Sequence, residues 1–235
     1  GHSQSLVLET TLPGSDLSFF KVDYRGQIFK QLSDSYTMRF HSQLGYGDSY
    51  GSTSELPFYE NYYAGGDNLR GFESRIIGPH AIFRYAQSVP GLPDPNAGSS
   101  GFPSGPENDS YQVSQRSIGG NAMAIATLEL ITPTPLLKED YANSVRTSVF
   151  VDAGNVWDTE FDINRFANLT RYQNSNSLQS ELLDYSDAGM IRVSAGVTVQ
   201  WISPMGPLTF SLAKIVKKYD GDEQENFSFN IGTTF

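Results

Sequence analysis

The chain has 235 residues, 38% of them apolar, a formal net charge of −10 and no cysteine. That length suits one large all-β unit or one to two ordinary domains. The missing thiols exclude disulfide frameworks and Cys-based zinc sites, and the acidic balance argues against a nucleic-acid partner, whose phosphates need a basic surface. No apolar run approaches the roughly 18–20 residues of a membrane-spanning helix. With 22 Gly and 12 Pro, turns must be frequent, and 15 Phe, 13 Tyr and 2 Trp make the chain rich in aromatics. Gly1-His2-Ser3 reads as an expression remnant, so residues 1–4 are set apart; nothing there has the basic start and apolar stretch of a secretory leader.

Apolar positions recur with period 2, the spacing of strands. A first strand is expected over 5–12. In the second, Phe20, Val22, Tyr24 and Ile28 alternate with Lys21, Asp23, Arg25 and Gln27; in the third, Tyr36, Met38, Phe40, Leu44 and Tyr46 stand against Thr37, Arg39, His41 and Gln43. Strands follow at 121–131 and 145–156. Ile191, Val193, Ala195, Val197, Val199 and Trp201 then alternate with Arg192, Ser194, Gly196, Thr198 and Gln200. After 207–216, the C-terminus sets Phe227, Phe229, Ile231 and Phe235 against Asn226, Ser228, Asn230, Gly232 and Thr234. Eight strands of about ten residues result, the length that crosses a bilayer at a tilt.

Charge falls on the polar face in mid-strand: Lys21, Asp23, Arg25, Arg39, Glu129, Arg146, Asp152 and Arg192. A soluble β-sandwich would turn these to solvent; a barrel with a wet lumen turns them inward and gives the apolar face to lipid. Loop lengths favour the barrel. The two long connections, about 47–120 and 157–189, leave from the same end, with short turns at the other, as in bacterial outer-membrane barrels. Since backbone groups in lipid must be satisfied by closed pairing, the expected fold is all-β, an antiparallel transmembrane β-barrel. The Pro-, Gly- and Ser-rich stretch 86–119 reads as a surface excursion, whereas 56–66 is dense in aromatics and is expected to pack.

Enzyme chemistry finds little support. His2 lies in the remnant, His80 in a loop and only His41 in a strand, with no motif for a serine-type catalytic arrangement. The acidic loop holding Asp158, Glu160, Asp162, Glu181, Asp184 and Asp187 reads as solvated. No metal, cofactor or catalytic residue is assigned.

Leu69-Arg70-Gly71-Phe72 resembles the (V/I/L)-R-G-(F/Y) motif in the sixth extracellular loop of the outer-membrane protein insertase superfamily. Asn121-Ala122-Met123-Ala124, Leu128 to Pro135, Tyr141 to Ser148, Gly154-Asn155-Val156-Trp157-Asp158, Ser203 to Leu208 and Lys217 to Asp222 are similar to its Bam-type barrel-assembly branch, from about residue 5 to Phe235 outside 86–118 and 159–188. The resemblance implies the C-terminal half, strands 9–16, of a sixteen-stranded barrel, in the outer membrane of a Gram-negative bacterium. It also implies a function: assisting folding and insertion of outer-membrane proteins. The partners would be outer-membrane lipids or detergent, unfolded outer-membrane clients and the Bam accessory lipoproteins. The other reading within the superfamily is a pore of the two-partner secretion type.

The same resemblance implies that Arg70 packs onto barrel-wall acids at Glu129 and Asp152, so that Leu69, Arg70, Gly71 and Phe72 form a latch. It further implies that the last strand (Phe227, Phe229, Ile231, Gly232 and Phe235) is one side of a lateral seam on which an incoming strand adds by β-augmentation. Without the seam's other strand and the periplasmic domains, the half barrel is expected to be inactive alone. Because side chains alone fill an eight-stranded barrel, it is expected to close small with its long loop displaced, or to pair with a second half.

Overall fold

The computed structural model describes residues 1–12, 14–86, 109–134, 144–169, 177–180, 182–204 and 206–232. Among these residues ten strands run in chain order: β1 (His2–Thr10), β2 (Phe19–Gln31), β3 (Thr37–Ser49), β4 (His80–Ala86), β5 (Asp109–Ser117), β6 (Ala122–Thr132), β7 (Val145–Trp157), β8 (Arg192–Ser203), β9 (Gly206–Lys217) and β10 (Phe227–Ile231). Eight form one antiparallel sheet in the order β1-β2-β3-β6-β7-β8-β9-β10, and β4 and β5 make a separate hairpin within the long loop. Among the described residues, helical structure amounts to short 3₁₀ turns at Phe58–Glu60, Ile163–Phe166 and Leu178–Ser180. The fold is all-β, with every one of the eight expected wall strands present.

Two boundaries differ from the sequence reading. β1 starts at His2, so residues 2–4 pair with Gly26–Ile28. It stops at Thr10 because the chain turns, Ser15 N–H donating to Leu12 C=O at 3.1 Å. β10 is only five residues long, because Gly232 leaves the extended region at φ +81° and donates its N–H to Pro207 C=O at 2.8 Å. Part of the stretch read as a surface excursion forms β5, paired to β4; residues 87–108 lie outside the described residues.

Burial is reversed relative to a water-soluble protein. One cross-strand row of the sheet runs Leu130–Val149–Val197–Leu212–Phe227, and each of these large apolar side chains is exposed, Leu212 by 56%. On the opposite face Arg39, Thr127, Glu129, Ser148, Asp152, Ser194, Thr198 and Ser211 are buried. Soluble proteins rarely expose a contiguous apolar surface of this extent or bury so many strand-borne polar groups. A belt of aliphatic and aromatic side chains around a polar interior is what a lipid-facing barrel wall requires.

The sheet is open. Among the described residues β1 is paired only to β2 and β10 only to β9, so the sheet does not close small as expected. The reason lies on its concave face, which the long loop occupies instead of being displaced. Tyr62, Ala64, Leu69, Phe72, Ile76 and Ile77 cluster there with Ile125 and Val156 of the wall. Eight strands closed on themselves leave no room for such an insert; eight strands curved around it do.

Candidate functional site: an arginine loop on the inner wall and an open last strand

The loop reaches the wall by a relay of backbone bridges. Tyr62 exchanges backbone bonds with Gly120 at 2.8 and 3.1 Å, and Ala64 pairs with Ile77. Lys21 of β2 donates to the Glu60 carbonyl at 2.8 Å and its carboxylate at 3.1 Å, with its ammonium over the Tyr62 ring. Burial holds the Tyr62 phenol above its ordinary range. The aromatic stretch expected to pack therefore does so, through Tyr62, while Phe58 and Tyr59 stay exposed.

At the tip, Leu69 and Phe72 are fully buried on either side of Arg70 and Gly71. Gly71 has φ +91°, and a Cβ there would lie 3.1 Å from both the Ala213 and Ser194 Cβ atoms. Left-handed backbone and close wall approach together demand glycine. The turn aims Arg70 at β7. Its Nε and Nη2 donate to the two carboxylate oxygens of Asp152 at 2.8 and 2.9 Å, its backbone N–H donates to the same carboxylate at 3.2 Å, and Nη1 donates to Thr198 Oγ1 at 3.0 Å. Ser194 Oγ donates back to the Arg70 carbonyl. The guanidinium carbon sits over the Phe150 ring, 3.3 Å from its centroid. Planarity and a five-donor fork let arginine make the bidentate pair and the stack at once, which lysine could not.

Glu129 is placed differently. Its nearest oxygen is 4.0 Å from Arg70; Arg39 of β3 pairs with it at 3.0 Å and Ser148 donates to its other oxygen. Arg70 is thus brought close to both acids but bonded to Asp152, and Glu129 links the loop arginine to a second arginine on the wall.

Phe150 had no place in the sequence reading, and Ser194, Gly196 and Thr198 stood in it only as polar-face positions of their strand. Phe150 stands opposite Gly196 in the β7–β8 register, and a Cβ at residue 196 would meet the Phe150 ring at 2.7 Å and the Leu212 carbonyl at 2.1 Å. The available signal was an aromatic on the polar side of an otherwise regular alternation, between Ser148 and Asp152, facing a strand with glycine at the matching place.

A further buried arginine, Arg192, stands opposite Gly154, two residues along β7 from Asp152. Arg192 is 2% exposed. Nε and Nη2 donate to Asp222 at 3.0 and 3.2 Å, and Nη1 to Asn155 Oδ1 at 2.6 Å and the Met190 carbonyl at 3.1 Å. Asp222 also accepts the Tyr219 N–H at 2.7 Å. Nearby, burial pushes the Tyr185 phenol up to about 12.

In the last strand Phe227, Phe229 and Ile231 point outward and are exposed, Ile231 by 64%. Phe229 stacks on Phe210 of β9, centroids 4.9 Å apart. Gly232 sits in open space at the end, and Phe235 lies outside the described residues. Between the loop, β1–β3, β9 and β10 runs a polar cavity of about 380 Å³, lined by Arg25, His41, Asn68, Arg70, Ser211 and Asn230 among others. Among the described residues no group of three or more His, Cys, Asp or Glu could hold a metal ion.

A curved antiparallel wall with apolar side chains outward, charged side chains inward and a loop folded onto its inner face defines a transmembrane β-barrel segment with a plugging loop. The whole chain, residues 1–235, matches the Omp85 superfamily domain. It is 34% identical to the outer membrane protein assembly factor BamA of Neisseria meningitidis serogroup B, over all of this chain and 26% of that protein. It is 24% identical to BamA of Nitratidesulfovibrio vulgaris, over 94% of this chain and 21% of that protein. Among solved structures it superposes on BamA from Haemophilus ducreyi lacking POTRA domains 1–3 with a TM-score of 0.77 and 38% identity, covering 97% of this chain and 37% of that one. The chain belongs to the Omp85 superfamily and is a piece of outer-membrane barrel from a Gram-negative bacterium. It spans about a quarter of the length of the curated relatives it matches.

Proposed function

We propose that this chain is the C-terminal part of an outer-membrane insertase, whose β10 offers a free edge on which an incoming strand of a client barrel pairs. The observation that carries this reading is the state of β10: five residues whose backbone ladder, among the described residues, runs to β9 only, leaving N–H and C=O groups on its other side without a strand partner, with Phe227, Phe229 and Ile231 facing lipid. In hydrocarbon such groups have no water to turn to, so an extended client segment is a strong ligand for them. No covalent bond is made or broken; the drive is the stability of the folded client.

Arg70 acts as the latch of this device. Its bidentate bond to Asp152 and its stack on Phe150 support a role in holding the loop inside and stiffening β7 and β8 beneath it. A loop so seated occupies the space a translocation pore would use, which favours assembly over passive conduction. The clients would be unfolded outer-membrane proteins, and the partners the accessory lipoproteins of the assembly machinery, with the work done by the longer protein of which this is part; the 235-residue chain is inactive alone.

The test reconstitutes the longer parent in liposomes and follows insertion of an unfolded small barrel protein by heat-modifiability. Phe229→Pro, which removes a donor from the edge, should abolish insertion while leaving β2–β9 folded. Undiminished insertion by that variant, or robust insertion by the 235-residue chain alone, would overturn the reading.

A further inference from the structure

β10 is held by more than its short ladder to β9. Asn230 Nδ2 on its inner face donates to Asp67 of the arginine loop at 2.8 Å. Just upstream, Phe72 forms a β-bridge with Gln224. Glu225 N–H donates to the Gly71 carbonyl at 3.0 Å, and Glu73 N–H to the Glu223 carbonyl at 3.1 Å. Residues 223–225 are therefore a strand-like strip bonded to the loop motif, and the chain passes from that strip directly into β10.

The strip itself is fixed at its start by the Arg192–Asp222 pair. Both side chains are almost completely buried, the carboxylate is satisfied by Arg192 and the Tyr219 N–H, and the guanidinium by Asn155 on β7. The partners of the two side chains are each other, Asn155, Met190 and Tyr219. So much buried charge in one turn needs a reason. The turn it closes is the one that delivers 223–225 to Gly71–Glu73.

We infer that Arg192 and Asp222 are positioning residues that register the 223–225 strip against the loop motif, so that the seat of Arg70 on the inner wall sets the freedom of the last strand. Loop and edge strand form one coupled unit: releasing Arg70 loosens β10, and loosening the Asp222 turn unseats the motif. Such coupling is reciprocal by linkage. The inference rests on the proposed role of β10 for its functional meaning, but not for its test.

The test is amide hydrogen exchange of the 235-residue chain in detergent micelles, read at Glu73, Glu225 and β10, with β6–β7 amides as the internal reference. Asp222→Asn and Arg70→Ala are each expected to speed exchange at Glu225 and β10 by about tenfold or more while β6–β7 change little. The double variant should add almost nothing to the larger single effect. The exchanged pair Arg192→Asp with Asp222→Arg should restore part of the protection, which a role in bulk stability would not predict. Asn230→Ala, which removes only the half-buried side-chain bond to Asp67, should give a smaller acceleration confined to β10. Wild-type exchange at Glu225 and β10 in Asp222→Asn, uniform acceleration of all strands, or simple additivity with Arg70→Ala would each overturn the inference. Failure of the longer parent to insert clients while the coupling persists would sink the proposed function and leave the coupling standing.

Discussion

β7 and β10 belong to one sheet and differ in almost every way that matters. β7 has thirteen residues, partners on both sides, and an inner row of Ser148, Phe150 and Asp152 that is buried under the loop. β10 has five residues, one ladder partner, and an inner face tied to the loop through Asn230 and Asp67. The contrast separates stability from function. Satisfied charge and aromatic packing concentrate in the middle of the wall, and of the two edge strands, β1 and β10, the last has the shorter ladder. In the role proposed for β10, low local stability is what ligand-accepting elements in general require.

That division can be broken first at Arg70. Arg70→Ala leaves Asp152, 1% exposed, buried without its partner, and removing one member of a buried pair costs about 3–5 kcal/mol. The urea midpoint of the detergent-folded chain should fall accordingly, and the heat-modified band should shift at lower temperature. Asp152→Asn is milder, about 2 kcal/mol, because Arg70 keeps Thr198 and its stack on Phe150. Gly196→Ala drives a methyl into the Phe150 ring and the β9 backbone and should cost about 1–3 kcal/mol by overpacking; a Phe150→Leu background should relieve part of it.

Substitutions at the edge sharpen the contrast from the other side. Phe229→Ala loses the stack on Phe210, about 1 kcal/mol, and should barely move the midpoint while slowing client insertion by the longer parent. The smallest effect concerns pH. Glu223 hydrogen-bonds the Glu73 carboxyl, and that bond and the like charge behind it raise the Glu223 carboxyl above its ordinary value. A raised folded value means the folded state binds the proton more tightly. The stabilisation is therefore present below the ordinary glutamate range and lost as pH rises through the raised value. Spin labels at Ser74 and Gln224 should report a tighter distance distribution on mild acidification, and Glu223→Gln should remove the dependence.

The wall was legible in the sequence because a two-residue period with charge on one side and aliphatics on the other leaves few other physical readings. Ile191 to Trp201 shows this best: each residue expected inside the wall from Arg192 to Thr198 is there. Arg70 near Asp152 came from the motif's resemblance, not from periodicity, which says nothing about where a loop folds. The Arg192–Asp222 pair was hidden for the same reason: thirty residues separate its partners, and both stand in segments whose local patterns are already explained by a strand and a turn. Closure was misjudged because strand count alone fixes the radius only when the interior holds nothing else.

The exposed belt has a thermodynamic consequence of its own. In a water-soluble domain the apolar core is internal and travels with the chain; here its counterpart is supplied by the surrounding amphiphile. Unfolding free energy is therefore a property of the polypeptide and its solvent together. Shortening or lengthening the acyl chains of the host bilayer should shift it without any change of sequence, most steeply beside β10, where the ladder crosses the least hydrocarbon.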